Sequence, residues 1–458
     1  MKMRSHNFIT CLLMIFLAGF QGKSQSQETT SFTLKQAITY ALKNSPSANN
    51  AELDKQSAVY RKREIAGMGY PQISGSIDLK NYFEIPWTLI PAMAFDPTAA
   101  PDQFMAVQFG TRYNATAGFS ASQLIFSSDY IFGLKASSEY MNLARINLQR
   151  TQTELAAEVS KAYYNVIINA DRMKLLEANL SRLKKMLDDS KAFNEEGFAE
   201  LIDVQRLEVQ YNNLRTQKEQ TVKLMGLSET MLKFQMGYEL SKPIQLADSL
   251  SFNEEEYQAL NTGAIDISQR PDYQLLVSQE KLYTIDRKRL QWGYLPTVAA
   301  YGSYQYNTMR QKTDFFDFDK NNPLKQWYKI GLVGATLNLN IFDGFQRHNK
   351  IQQARIVALK TRNDLRNLEL AGELQATVAA ISYNNAYSTL LMQKRNMELA
   401  QHVHEVTQKK YESGVGSNLE VVNAEADLQT AQTNYYNAVY DMLVAKTDYL
   451  RATGTILK

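Results

Sequence analysis

The two halves of the chain repeat one another in order, and no other feature restricts the fold as much. Tyr70-Pro71, followed by a run alternating polar and apolar residues, returns about 225 positions later as Tyr294-Leu295-Pro296 with its own alternating run. Asn44-Ser45-Pro46 returns as Gln269-Arg270-Pro271, and Leu124-Ile125-Phe126 as Asn340-Ile341-Phe342. Gly197-Phe198-Ala199-Glu200-Leu201-Ile202-Asp203-Val204 returns as Gly414-Val415-Gly416-Ser417-Asn418-Leu419-Glu420-Val421, with Glu208 and Glu425 in step behind. Each half reads as a helix, two strands and then very long helices. Neither half can bury its own surface in an ordinary globule.

Proline spacing permits the long helices. None occurs between Pro101 and Pro243, and none after Pro323. Proline breaks helix interiors, so residues 127–196 and 342–412 are each expected to run as helix nearly throughout, about 100 Å at 1.5 Å per residue. Small and polar residues dominate these stretches, with narrow apolar stripes such as Leu419, Val422, Ala426, Ala431, Tyr435 and Ala438 in approximate heptad spacing. That is a coiled-coil pattern.

Four segments alternate with period two: 72–82, 112–125, 297–307 and 328–341. Each has roughly the 9–11 residues of a tilted membrane-crossing strand, or slightly more. In the third, Val298, Ala300, Gly302, Tyr304 and Tyr306 share one face. In the fourth, Val333, Ala335, Leu337, Leu339 and Ile341 oppose a small or polar face. Aromatic residues gather at the strand ends: Tyr70, Tyr82, Phe83, Trp87, Phe126, Tyr294, Trp327, Tyr328 and Phe342. They fit the interfacial girdles of a membrane barrel. Period two alone also fits a soluble antiparallel sheet with Tyr-rich edges. Longer loops at 84–110 and 308–326 join the strand pairs.

Residues 1–24 read as a secretory leader: Lys2 and Arg4, an apolar stretch from Phe8 to Phe20, then Gly22 and Ser24. The only cysteine, Cys11, lies inside it, so an exported chain is expected to have no disulfides. The 50 basic residues fall to 47 once Lys2, Arg4 and Lys23 are removed, against 47 acidic ones. A net charge near zero offers no basic face to nucleic acid. The expected organisation is a leader (1–24), a first repeat (25–237), a linker (238–266) with a short helical piece near 254–260, and a second repeat (267–458).

Four strands cannot close a barrel, and an open sheet edge in a membrane leaves backbone groups unpaired at several kcal/mol each. Membrane strands therefore require several copies in one barrel; three copies give about twelve strands. The helices leave the strands at Pro71, Phe126, Pro296 and Phe342, all on one side, so they are expected to form a second, water-filled cylinder continuing the barrel.

The stretch from Thr33 to Pro46 resembles the opening helix of the TolC-like outer membrane efflux protein family. Tyr70-Pro71, Arg270-Pro271, Leu295-Pro296, Ile341-Phe342-Asp343-Gly344 and Tyr411-Glu412-Ser413-Gly414 resemble that family's other marks, and the resemblance covers almost all of the mature chain. It implies a homotrimer, mainly helical, with a 12-stranded outer-membrane barrel continued by a periplasmic α-helical coiled-coil barrel. It also implies docking on a periplasmic adaptor and an inner-membrane pump.

Such a protein carries its function in tip loops and in its narrowest ring. Hairpin tips are expected near Gly197-Phe198 and Gly414-Val415-Gly416, where glycine permits tight reversal; by resemblance these meet the adaptor. Asp203 and Glu420 occupy equivalent repeat positions at helix starts, where a carboxylate also favours the macrodipole. By resemblance Glu420 takes the first carboxylate position lining the closed entrance, and Asn423 replaces the second. Tyr411 matches a tyrosine that ties neighbouring hairpins together, and Gly416 stands where some members carry a basic partner. No cofactor or metal is expected: His402 and His404 are two apart and do not share a helix face. Ser181-Arg182-Leu183-Lys184 lies mid-helix without a companion motif. No enzyme is read here. The leading reading is an efflux exit duct for small toxic compounds; a duct for secreted proteins and an exported coiled-coil adaptor or scaffold are the alternatives.

Overall fold

The structure is a computed structural model that describes residues 30–248 and 266–457. The expected leader and the helical piece near 254–260 lie outside the described residues. Chain order is β1 (Thr30–Phe32), α1 (Leu34–Asn44), α2 (Pro46–Gly67), β2 (Gln72–Asn81), β3 (Trp87–Pro91), β4 (Phe104–Gln108), β5 (Tyr113–Phe126), α3 (Ser128–Glu195), α4 (Leu201–Met236), β6 (Ile244–Leu246), α5 (Pro271–Trp292), β7 (Thr297–Arg310), β8 (Tyr328–Asn338), α6 (Gln346–Glu412) and α7 (Asn418–Ala452). The path α2-β2-β5-α3-α4 in the first half matches α5-β7-β8-α6-α7 in the second.

Helix α3 has 68 residues and α6 has 67, so each is about 100 Å long. Pro46 and Pro271 stand in the first turns of α2 and α5, where a missing N–H leaves no bond broken. Helix α6 starts at Gln346, later than the expected 342, because Gly344 (φ 64°) and Phe345 (φ 63°) both take left-handed backbone. The Asp343 carboxylate then accepts from the Arg347 N–H at 3.1 Å.

The main sheet has four strands in the order β2-β5-β7-β8, all antiparallel. The repeats are therefore stitched through β5 and β7, while β2 and β8 are open edges. Register sets the faces. Ile73, Ile77, Leu79 and Phe119 share a face with Val298, Tyr304, Val333 and Leu337. The opposite face carries Ser74 bonded to Ser120 at 2.8 Å and Asn307 bonded to Thr116 at 2.9 Å. Ile77 is 78 % and Val333 92 % exposed, and among the described residues no layer covers the apolar face.

Two strand ends differ from expectation. β7 continues past Asn307 to Arg310, whose buried guanidinium donates to Asp314 O (2.9 Å), Asp317 O (2.8 Å) and Lys325 O (3.0 Å) and so organises the following loop. β8 stops at Asn338 rather than 341, because its partner β7 begins at Thr297. The loop over 84–110 contains a further antiparallel hairpin, β3–β4, and the linker supplies β6, which pairs in parallel with β1. Neither pair shows in the alternation pattern.

The best-buried core lies where β1, β6, α1, α3 and the end of α4 meet, around Phe32, Tyr163, Leu232 and Met236. The Tyr163 hydroxyl lies 2.8 Å from both Phe32 O and Asp248 Oδ2. Burial, and then the Asp248 carboxylate, push its pKa well above the ordinary tyrosine value. Beyond this core α3 packs on α4 and α6 on α7, with α3 against α7, which leaves α4 and α6 as the outer helices.

Gly237 ends α4 at φ 66°, and a Cβ there would fall 2.8 Å from Asn44 O and from Ser45 Cα. Its counterpart Gly454 follows α7 at φ 71° and faces Arg270. Arg270 in turn grips Asp272 at 3.0 and 2.6 Å and reaches Ala452 O at 3.3 Å. Both halves thus close a long hairpin onto the residue preceding a helix-starting proline. Gly237→Ala is expected to lower stability by at least about 1–2 kcal/mol from the backbone conformation alone. Gly226→Ala, on α4 with open space around it, is expected to gain about 0.5–1 kcal/mol. Chemical denaturation followed by helical circular dichroism measures both.

Candidate functional site

Both long hairpins turn in the same way at their tips. Helix α3 closes with Phe198 N–H and Ala199 N–H donating to Phe193 O at 2.8 and 3.3 Å. Helix α6 closes with Val415 N–H and Gly416 N–H donating to Lys410 O at 3.0 and 3.1 Å. Each reversal needs one left-handed residue, Gly197 (φ 82°) or Gly414 (φ 74°). Gly416 serves differently: it is not left-handed, but a Cβ there would lie 3.0 Å from Lys410 Cβ and Tyr411 N. Phe198 and Val415 crown the tips, 80 % and 79 % exposed.

The residues expected at the entrance start from these tips. Asp203 sits in the first turn of α4 and pairs with Arg206 at 3.5 Å. Glu420 sits in the first turn of α7, where its N–H donates to the Ser417 cap at 3.3 Å. Both also meet the macrodipole favourably. Tyr411 is brought near the first hairpin. Burial first, and then the charges of Asp203 and Asp189, raise its pKa above the ordinary tyrosine value. The phenol is therefore neutral at physiological pH and available as a donor.

Helix α7 presents two stripes. Glu420, Asn423, Asp427, Thr430, Asn434, Asn437 and Asp441 are exposed and spaced alternately by three and four residues. This face is wholly polar, three of its side chains are acidic, and none is basic. The inward seam is Val421, Glu425, Leu428, Gln432, Tyr435, Val439 and Met442, in the same spacing. Of the expected stripe, Val422 and Ala438 are buried and Tyr435 lies in the seam, whereas Leu419 is exposed. Glu425 and Gln432 also occupy core positions, where polar types escape an apolar count. Glu425 is 1 % exposed, whereas its repeat counterpart Glu208 is exposed.

The aromatic residues expected at strand ends divide into two groups. Tyr70, Tyr294 and Phe342 are exposed and flank the sheet near its helix junctions, with Phe126 half-buried there. The Arg347 guanidinium lies 4.9 Å over the Tyr294 ring. At the opposite end, Trp327 Nε1 donates to Phe315 O at 3.1 Å, the Tyr328 hydroxyl donates to Pro323 O at 2.8 Å, and Tyr82 N–H donates to Arg112 O at 2.8 Å. Trp87 lies beyond the main sheet, in the β3–β4 hairpin. Among the described residues no helix is long and apolar enough to cross a membrane, and no group of three or more His, Cys, Asp or Glu is placed to hold a metal.

A four-stranded sheet with open edges, joined to helices about 100 Å long, is the architecture this chain shares with known proteins. Residues 279–455 match the family described as outer membrane efflux protein. The chain is 21% identical to outer membrane protein TolC of Vibrio cholerae over 347 residues, 74% of this chain and 77% of that one. It is 22% identical to the probable efflux pump outer membrane protein TtgC of Pseudomonas putida over 356 residues, 75% of this chain and 69% of that one. Its fold superposes on the Campylobacter jejuni CmeC outer membrane channel with TM-score 0.73 at 14% identity, covering 94% of this chain and 90% of that chain. The chain therefore shares the fold of these outer membrane channels, and its second half resembles the outer membrane efflux protein family.

If the tip geometry is as described, Gly414→Ala strains the turn by about 1–2 kcal/mol. The expected result is faster amide exchange at Val415 and Gly416 with exchange at mid-α6 unchanged.

Proposed function

We propose that three copies of this chain form an outer-membrane exit duct of a tripartite efflux system, passing small toxic compounds outward from an inner-membrane pump through a periplasmic adaptor. The observation that carries this reading is the matched incompleteness of sheet and helices. The strands β2 and β8 are open edges, and the outer helices show the same lack of a partner. Helix α6 exposes Leu370, Leu374, Val378 and Ile381, then Met392, Leu399, Val403 and Val406. Helix α4 exposes Ile202, Val209, Leu224, Leu227, Met231 and Phe234. Much of each stripe keeps heptad-compatible spacing.

A neighbouring copy that pairs β8 with the next β2 places α6 beside the next α4, because both sets of elements leave the sheet on one side. Threefold repetition then closes about twelve strands into a barrel whose apolar face meets lipid and whose Ser/Thr/Asn face meets water. The helices continue it as a hollow cylinder into the periplasm. The α7 polar stripe lines that cylinder, so Glu420, Asp427 and Asp441 each become a ring of three carboxylates. Asp203, Tyr411, Glu420 and Asn423 lie where the cylinder narrows, and Gly197, Phe198, Gly414, Val415 and Gly416 form the surface offered to the adaptor. The residues act as walls and a gate; no step of bond chemistry is assigned to any of them. The relatives named for efflux support this reading, as does the outer-membrane placement their names share.

Reconstituted in planar bilayers, the protein is expected to form cation-selective channels. Replacing Glu420 by Gln and Asp427 by Asn together should lower the cation-to-anion permeability ratio by about twofold or more, since the acidic rings supply the field. Unchanged selectivity would remove α7 from the pore wall. In cells, deletion of the tip residue Phe198 or Val415 should raise sensitivity to toxic compounds while the protein still reaches the outer membrane.

A further inference from the structure

The core of the second hairpin contains a polar node that the duct reading does not use. Glu425 of α7 is 1 % exposed, and His404 of α6 is 4 % exposed. His404 Nε2 lies 2.8 Å from Glu425 Oε2. Arg182 of α3 approaches Glu425 Oε1 at 3.6 Å, and Gln429 Nε2 donates to that same oxygen at 3.2 Å. Arg182 also donates to Asn179 Oδ1 at 2.5 Å, and Asn179 Nδ2 donates to Gln432 Oε1 at 2.8 Å. Glu425 and Gln432 stand one heptad apart in the α7 seam, and Asn179 and Arg182 stand one turn apart on α3. Higher up, Arg172 donates to Asn437 Oδ1 at 2.5 Å.

Apolar side chains at these positions would pack the hairpins at least as stably, because a buried ion pair seldom repays the desolvation of its members. Polar residues in a coiled-coil seam instead select one register and one partner. His404 Nε2 and Glu425 Oε2 touch as a close pair without hydrogen-bond alignment, and nearer the tip the Ser190 hydroxyl on α3 and the Asn418 amide on α7 also have no hydrogen-bond partner. Unpaired groups of that kind favour an arrangement that lets water in. The hydrogen bonds of Asn179, Arg182 and Gln429 in the node, with the close His404–Glu425 contact, are what hold the closed packing against that tendency.

We propose that Glu425 is a positioning residue for the tunnel entrance. Clamped between His404 of α6 and Arg182 of α3, its carboxylate fixes the second hairpin against the first. It thereby sets how far the Glu420–Asn423–Asp427 face reaches toward the tunnel axis. The proposal rests on the duct reading above. Loss of the clamp lets α7 swing away from α3 and widens the entrance without disturbing the waist core around Tyr163.

The pH behaviour follows from the groups facing the carboxylate, the Arg182 guanidinium from α3 and the His404 ring from α6. Burial alone would raise the Glu425 pKa; the His404 contact, the Arg182 charge and the Gln429 amide outweigh it, and the net shift is downward. A carboxylate with a lowered pKa contributes stability above its unfolded value, and that contribution is lost as pH falls through the folded value. The clamp therefore holds at neutral and mildly acidic pH and releases only below the ordinary glutamate range.

The test compares full-length assemblies in planar bilayers at pH 7. Glu425→Gln, and the double change Glu425→Leu with His404→Leu, are each expected to raise mean conductance at least twofold. The double variant should do so at an unchanged or higher melting temperature, which a purely structural role would not produce. Should Glu425→Gln fail to assemble, the partly exposed Arg182→Gln carries the same expectation. Wild-type conductance in these variants, or a rise seen only with lowered melting temperature, overturns the proposal while leaving the duct intact. A wild-type protein that forms no channel overturns both.

Discussion

Everything in this structure depends on hydrogen-bonding groups that one chain cannot satisfy. Strands β2 and β8 each turn a row of backbone N–H and C=O groups outward, and among the described residues no further strand pairs with either. In water such edges invite indiscriminate pairing; in lipid each unpaired group costs several kcal/mol. The sheet is apolar on one face and uncovered on both, so packing within the chain offers no remedy. In the proposed duct, β8 of one copy pairing with β2 of the next removes the penalty everywhere at once, and a closed ring is the arrangement that leaves none over.

The same requirement reaches the helices through the short junctions after Phe126 and after Asn338. Because α3 and α6 start directly from strands and contain no proline, they carry the symmetry of the sheet about 100 Å away. What is an open backbone edge at one end becomes an apolar stripe on α4 and α6 at the other. Between these stripes, α7 keeps a polar outer face and a seam that is mostly apolar. The exceptions in that seam, Glu425 and Gln432, lie in the tip half of the hairpin, where a channel has to change shape. The waist, by contrast, is held by the apolar cluster around Phe32 and Tyr163 and by glycine-capped helix ends.

Much of this was legible in the residues themselves. The duplication of Tyr70-Pro71 and Tyr294-Leu295-Pro296 marked both helix-to-strand junctions, and the proline gaps marked the two long helices. Alternation located the four main strands, because each has one face of a single chemical kind. The β5–β7 pairing escaped notice, since register between repeats leaves no periodic trace. The strands β1 and β6 are three residues each, too short for any period. Around the candidate site, Asp203 and Glu420 were visible as repeat positions and Asn423 through the family resemblance, but Asp427 was not, having no matching motif. His404 was set aside because it shares no helix face with His402. Its partner comes from α7, and only tertiary packing brings Glu425 within reach. Arg310 likewise read as part of a charged loop, whereas its guanidinium is the loop's internal scaffold.

The most direct test of the shared wall uses cysteine pairing in a chain from which Cys11 is absent. One cysteine is placed on β2 and one on β8, at lumen-facing positions such as Ser76 and Ile330. Within one chain these strands are three spacings apart, about 14 Å, too far for a disulfide. Oxidation in outer membranes is predicted to give a covalent ladder that stops at three chains. A product that stays monomeric, or a ladder that runs on past three, would contradict the account.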